Sequence, residues 1–299
     1  MKRIVVGSRE SVLAVAQAMT VVDYLRRRLP DARVELLTMK TTGDRILDRT
    51  LDKVGGKGLF VKELDAALRD GRADITVHSL KDVPMETAPD LPLLGFSRRE
   101  DPRDVLVLPD GAAEPDPELP IGSASLRRSL QLRSLYPGFT VQPVRGNVQT
   151  RLRKLDERQY GALVLAAAGL KRLGLADRIS RFFTVQEMIP AAGQGIIALQ
   201  GRAGEEHSWL DGYLDADSFC AATAERAFTR ELNGGCTSPV CAHAELNGDT
   251  LLLRGLYYDE ATGAHRTGLL AGRRNDAAAI GAELARELRA GRQGGNDDR

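Results

Sequence analysis

Apolar positions along the chain switch repeatedly between a two-residue and a roughly 3.6-residue period. Ile4 to Val6 is a short β-branched run, and Ser11 to Leu29 carries helical spacing closed by Pro30, so strand then helix is the opening unit. Val34 to Met39 predicts the next strand. Lys40 to Gly58 is polar, holds Thr41-Thr42-Gly43-Asp44 and Gly55-Gly56-Lys57-Gly58, and is longer than most connections, which marks a lid or a disordered segment. A helix over Phe60 to Arg69 and strands over Asp74 to His78 and Leu93 to Phe96 complete a βα alternation that favours a mostly parallel sheet.

Ser97 to Asp104 is charged, contains a proline and reads as a crossover. A second alternation follows: strand Val105 to Leu108, a proline-rich loop to Pro120, helix Ser125 to Leu135, strand Thr140 to Val144, helix Val148 to Gln159 and strand Ala162 to Leu165. The two openings, Ile4-Val5-Val6-Gly7-Ser8-Arg9 and Ile121-Gly122-Ser123-Ala124-Ser125, resemble each other and suggest a repeated topology. A helix from Ser218 to Leu232 ends at Asn233-Gly234-Gly235; a strand, an Asn247-Gly248-Asp249 turn, two more strands and a helix from Asp276 to Arg289 make a small α+β unit. Gly291 to Arg299 reads as a disordered tail.

Composition narrows the function classes. At 299 residues the chain suggests two or three domains. Its longest apolar run, around Ala162 to Ala168, is far too short to span a bilayer. The apolar stretch after Met1-Lys2-Arg3 stops after three residues at Gly7-Ser8-Arg9-Glu10, so no secretory leader is expected. Three cysteines give no disulfide framework and fit a reducing compartment, so the expected location is the cytoplasm. Forty-two basic residues against 41 acidic ones leave a net charge of +1, which argues against wholesale nucleic-acid binding and makes any anion site local.

The clearest chemical signal is cationic. Arg127-Arg128 opens a helix after a Gly-Ser-Ala-Ser turn, where backbone N–H groups and the helix dipole favour anions. Arg9, Lys81 and Arg145 follow predicted strands, where ligands sit in open α/β sheets. The competing reading makes these solvated surface charges. Asp82, just past a strand, is either chemically active or a salt-bridge partner of Lys81. Cys236 follows two glycines in a loop where a thiol is reachable, although most cysteines are buried and inert. Cys220 and Cys241 fall on helix and strand patterns and read as core. The run Cys236, Cys241, His243 lacks a fourth ligand and a zinc-like spacing, so no metal is expected. Gly55-Gly56-Lys57-Gly58 has Leu51 and Gly58 where a P-loop needs Gly and Ser or Thr. Gly193-Gln194-Gly195-Ile196-Ile197-Ala198 spells a dinucleotide fingerprint but precedes a strand-like run instead of a helix, and reads as a hinge returning the chain to the first sheet.

Ordered motifs then carry a resemblance over nearly the whole chain. They are Lys53 to Phe60 (KVGGKGLF), His78 to Pro84 (HSLKDVP), Arg99 to Asp104 (REDPRD), Ser125 to Arg128 (SLRR), Arg145 to Val148 (RGNV), Ala168 to Gly174 (AGLKRLG) and Glu231 to Cys236 (ELNGGC). By these the chain resembles the hydroxymethylbilane synthase family. Val12 departs from a usual proline, Ala124 from a common hydroxyl, and the chain ends soon after its last helix.

The resemblance implies two similar doubly wound α/β domains of the periplasmic-binding-protein type around a central cleft, plus a small α+β third domain. The expected boundaries are 1–97 with 195–213, 101–190 and 216–299, with a lid at 40–58 carrying Lys53 and Lys57 towards an anionic site. It implies a transferase that condenses porphobilinogen into a linear tetrapyrrole on a dipyrromethane cofactor joined to Cys236 by a thioether. By resemblance Lys81, Ser79, Ser123, Ser125, Arg127, Arg128 and Arg151 hold that cofactor. Arg9, Ser11, Arg145, Arg172 and Gln194 face the substrate or growing chain, and Asp82 is catalytic. A monomer with no nucleic-acid or membrane partner is expected. The rival from another class is a bilobal binding protein for an organic acid, which needs no adduct at Cys236. A ligand-responsive regulator would need a helix-turn-helix pattern or basic face that the sequence lacks.

Overall fold

A computed structural model describes residues 3–42, 61–234, 238–259 and 261–291. They divide into two compact units, 1–100 with 196–219, and 101–195 with 220–299.

The first unit is built on a five-stranded sheet. Its elements are β1 (Arg3–Arg9), α1 (Val12–Arg28), β2 (Arg33–Met39), α2 (Lys62–Arg69), β3 (Ile75–Ser79), a single helical turn at Leu80–Asp82 and β4 (Leu93–Phe96). Strand order is β2-β1-β3-β10-β4, where β10 (Ile197–Gly201) arrives from far along the chain. Alternation along β1 explains its double covering. Ile4 and Val6 pack with Val21 and Leu25 of α1, while Val5 points the other way to Leu68 of α2.

The second unit holds another five-stranded sheet and a three-stranded one. The former uses β5 (Asp104–Val107), β6 (Ile121–Gly122), α3 (Leu126–Leu135), β7 (Val141–Gln142), α4 (Val148–Asp156), β8 (Ala162–Ala166), α5 (Ala167–Arg172) and β9 (Arg181–Phe182). Its order, β7-β6-β8-β5-β9, repeats the first: three parallel strands, then one that runs against them, then a last strand that runs with the first three. The two resembling openings fall on β1 and β6, equivalent places in the two sheets, so the repeated topology is real. The mostly parallel sheet is corrected to a mixed one. β10 and β5 enter without a crossover helix of their own sheet, and both run antiparallel to their neighbours.

The three-stranded antiparallel sheet, β11 (Cys241–Asn247), β12 (Thr250–Tyr258) and β13 (His265–Arg273), packs against α6 (Ala216–Glu231) and α7 (Ala277–Arg289) around fully buried Phe228 and Leu284. Glycines let these layers meet. A Cβ on Gly281 of α7 would lie 2.2 Å from the Ala224 carbonyl oxygen of α6. Backbone cannot swing aside as a side chain does, so Gly281→Ala is expected to cost about 1–3 kcal/mol as the helices are forced apart. Denaturant unfolding checks this; an unchanged midpoint would mean that the helices separate at no cost.

Candidate active site

In the first unit, the carboxyl ends of β1 and β3 carry the polar groups. β1 ends at Arg9, and Ser11 caps α1 by accepting the Ala14 N–H. This cap uses the Ser11 hydroxyl for the helix end. β3 ends at Ser79 and the next turn presents Lys81 and Asp82. Arg9, Gln17, His78, Ser79 and Asp82 line one recess with Val61 and Val77. Ser79 Oγ lies 2.9 Å from Gln17 Nε2 and 3.1 Å from its Oε1. His78 is buried with Nε2 2.9 Å from Thr76 Oγ1. Burial, reinforced by the charge of Arg9, pushes its pKa down to about 4, so this imidazole is neutral at physiological pH. Among the described residues, the recess therefore combines the Arg9 cation, the Asp82 carboxyl group and neutral hydrogen-bonding partners.

In the second unit the site forms at the corresponding edge of the second sheet. Ser123 Oγ accepts the Ser125 N–H at 3.2 Å, shaping the turn into α3. Arg127 and Arg128 then lie on the inward face of α3, 3% and 7% exposed. They are not solvated surface charges. Arg127 Nη1 donates to Asp104 Oδ2 at 2.6 Å and to the Ile189 carbonyl at 2.6 Å. Arg128 donates to Asp104 Oδ1 from Nη2 at 2.7 Å and Nε at 3.0 Å. Burial alone would raise the pKa of Asp104, but the two guanidinium charges hold it well below the usual carboxylate range. Gln194, 1% exposed, donates from Nε2 to Asp104 Oδ1 at 2.9 Å. Arg172, at the end of α5, donates to the Gly195 carbonyl at 2.7 Å. The fold thus gathers Arg127, Arg128, Arg172 and Gln194 around one segment. Arg151 Nε donates to the Gly146 carbonyl at 2.8 Å, which places it beside Arg145 at the start of α4.

Asp104, Gln17 and His78 were not among the sequence candidates. Asp104 closes the motif Arg99 to Asp104, and its signal was a carboxylate at the mouth of an apolar strand. Gln17 is a polar residue on the buried face of α1, and His78 directly precedes the motif serine and lysine.

Cys236, the lid residues Lys53 and Lys57, and most of the lid lie outside the described residues. Cys220 and Cys241 are buried, as their patterns predict. Burial pushes the Cys241 thiol up to about 12, which leaves it protonated and unreactive at neutral pH. Among the described residues no group of His, Cys, Asp and Glu is arranged to hold a metal ion. None of their helices is long and apolar enough to cross a membrane.

The donors of this site suit carboxylates. Arg127 Nε is a buried N–H with no hydrogen-bond partner among the described residues, and a guanidinium is the side chain best matched to a carboxylate.

Comparison with known proteins points the same way. Residues 4–209 match the family described as porphobilinogen deaminase, dipyromethane cofactor binding domain, and residues 219–290 match porphobilinogen deaminase, C-terminal domain. The porphobilinogen deaminase of Ruminiclostridium cellulolyticum is 54% identical over 288 residues, 96% of this chain and 98% of that protein. That of Bordetella bronchiseptica is 48% identical over 292 residues, 96% of this chain and 93% of the relative. Among solved structures, the periplasmic aliphatic sulphonate binding protein SsuA from Escherichia coli covers 78% of this chain and 71% of its own, at 13% identity and a TM-score of 0.42. That likeness is too loose to bear on function. Two family models that together span nearly the whole chain, and relatives half identical over nearly their whole length, establish that the chain belongs to the porphobilinogen deaminase family.

Proposed function

We propose that this chain is a hydroxymethylbilane synthase, which condenses four porphobilinogen molecules head to tail with loss of ammonia. Its dipyrromethane is held by a thioether to Cys236. The observation that carries the reading is the buried arginine pair at the carboxyl edge of the second sheet, whose Arg127 Nε–H has no partner among the described residues. Each pyrrole brings an acetate and a propionate, and a charge-assisted hydrogen bond to one of these contributes about 1.5–3 kcal/mol.

When bound, the dipyrromethane would supply the free pyrrole carbon to which the first unit joins, each later unit joining the end of the chain so extended. Lys81, Ser79, Ser123, Ser125, Arg127, Arg128 and Arg151 hold its carboxylates. Arg9, Ser11, Arg145 and Arg172 serve the substrate and growing chain, Gln194 doing so through its hydrogen bond to Asp104 instead of by contact, and Lys53 and Lys57 the lid. Asp82 accepts from pyrrole N–H groups and offsets the positive charge left when ammonia departs. The division into domains 1–97 with 195–213, 101–190 and 216–299 belongs to the same proposal. So does a cytoplasmic monomer that handles a small molecule and neither nucleic acid nor membrane, in keeping with the +1 net charge.

The test is stoichiometric. Purified protein given porphobilinogen is expected to release one ammonia per molecule consumed and to yield a product of four units plus one water less four ammonia. Porphobilinogen bound and returned unchanged would favour the organic-acid binder. Within the site, Arg127→Leu or Arg128→Leu is expected to give mainly protein without cofactor, whereas Arg145→Leu or Arg172→Leu loads the cofactor but elongates slowly. Intact mass after brief exposure to substrate separates the two classes. Equal loading and equal elongation in all four variants would contradict the division.

A further inference from the structure

We propose that Asp104 and Gln194 are positioning residues that set the charge and orientation of the arginine pair, an inference that rests on the synthase reading above. Asp104 is fully buried and lies between the two guanidinium groups, with contacts of 2.6 and 2.7 Å. One carboxylate against two cations leaves a single net positive charge, matched to one carboxylate of a ligand. Two buried cations without it would repel each other and lose their common orientation.

Gln194 fixes the carboxylate in turn. Its Nε2 donates to Asp104 Oδ1 at 2.9 Å and to the Pro102 carbonyl at 2.7 Å. The main chain on either side of Gln194 is pinned as well. The Gly193 N–H donates to Glu225 Oε2 at 2.7 Å, and the Gly195 carbonyl accepts from Arg172 at 2.7 Å. These glycines have φ of +74° and +88°, a region that other residues enter only with strain. Glu225 of α6 also accepts the Ala244 N–H of β11 at 2.7 Å. Cys236 falls in sequence between those two elements. One hydrogen-bonded chain therefore runs from the elements flanking the anchoring cysteine, through Glu225, Gly193, Gln194 and Asp104, to Arg127 and Arg128.

The experiment compares Asp104→Glu and Gln194→Met with the wild type, all made in cells that supply porphobilinogen. Intact mass under denaturing conditions gives the fraction carrying cofactor, the unfolding midpoint gives stability, and KM and kcat are taken on the loaded fraction. Both variants keep every charge. A displacement of about 1 Å costs on the order of a hundredfold at a preorganised site, so the expected result is a folded protein with cofactor content or kcat/KM reduced at least about tenfold. Full cofactor content and wild-type KM and kcat in folded Asp104→Glu would reduce Asp104 to a counter-charge and overturn the proposal. Should that variant not fold, the same wild-type values in Gln194→Met overturn it instead. A wild type without any added mass would overturn the synthase reading itself, a result told apart because all three proteins would then have unmodified masses.

Discussion

Cys236→Ser is expected to have the mass of its sequence alone and to lose porphobilinogen turnover by at least about a thousandfold, while the wild type is heavier by two porphobilinogen units less two ammonia. The thiolate is the nucleophile, and a thiol with an ordinary pKa of about 8.5 is a few per cent ionised at neutral pH. A serine hydroxyl is not ionised to any useful degree there. A soft sulfur also forms a C–S bond that water does not readily cleave. The other thiols cannot take over. Cys241 is fully buried with its pKa pushed up to about 12, and Cys220 is buried with Sγ 3.2 Å from the Arg274 carbonyl. Mass under denaturing conditions, followed by turnover, checks both halves. A full mass increment surviving in Cys236→Ser would place the anchor elsewhere.

Asp82→Asn is expected to lower turnover of cofactor-loaded protein by a hundred- to thousandfold. Loss of ammonia from porphobilinogen leaves a cation spread over the ring nitrogen and the exocyclic carbon, so a carboxylate beside the N–H stabilises the transition state more than the ground state. Removing one preorganised electrostatic partner costs about 2.7–4 kcal/mol. Asp82 lines the recess with Arg9, His78 and Ser79, on a short turn fixed at the end of a central strand. Asn keeps the shape and one acceptor but not the charge, so the effect belongs in kcat more than in KM. Asp82→Glu keeps the charge one methylene away and should retain more activity than Asn. A residue acting only as an exposed ion-pair partner would change turnover by less than about tenfold. An Asn variant within that margin would remove Asp82 from the mechanism.

Periodicity located the elements well where they are long and regular. Leu93–Phe96 falls where expected, and α1, α3 and α7 differ from the reading mainly at their ends. It failed where length or direction decides. Ala167–Arg172 is a separate helix, α5, but its first residues continue the apolar run of β8, so the boundary is invisible to pattern. The antiparallel sense of β5 and β10 is a tertiary property that no local period encodes. The cations of the site were legible because charge beside a strand end or at a helix start is conspicuous. Their organisation was not. Asp104 reads in sequence as the last residue of a charged crossover, and only strand pairing, which sets it opposite Ala166, brings it to Arg127 and Arg128. Gln194 was named through the family resemblance, whereas the hinge reading of its segment was right about the path, since β10 does rejoin the first sheet.

That returning strand has a consequence for how the chain folds as it is made. Among the described strands β4 pairs only with β10, and β3 needs β10 on one side. When Phe96 has left the ribosome, β3 is still an open edge and β4 has no neighbour. At about 5–20 residues per second, some 5–20 s pass before residues 197–201 emerge. The second five-stranded sheet ends at Phe182, so all of its strands are available earlier. Of the two five-stranded sheets, the one begun first in synthesis is thus completed second. Its exposed strand edges over that interval make the nascent first unit the stage most open to aggregation or to a need for chaperones.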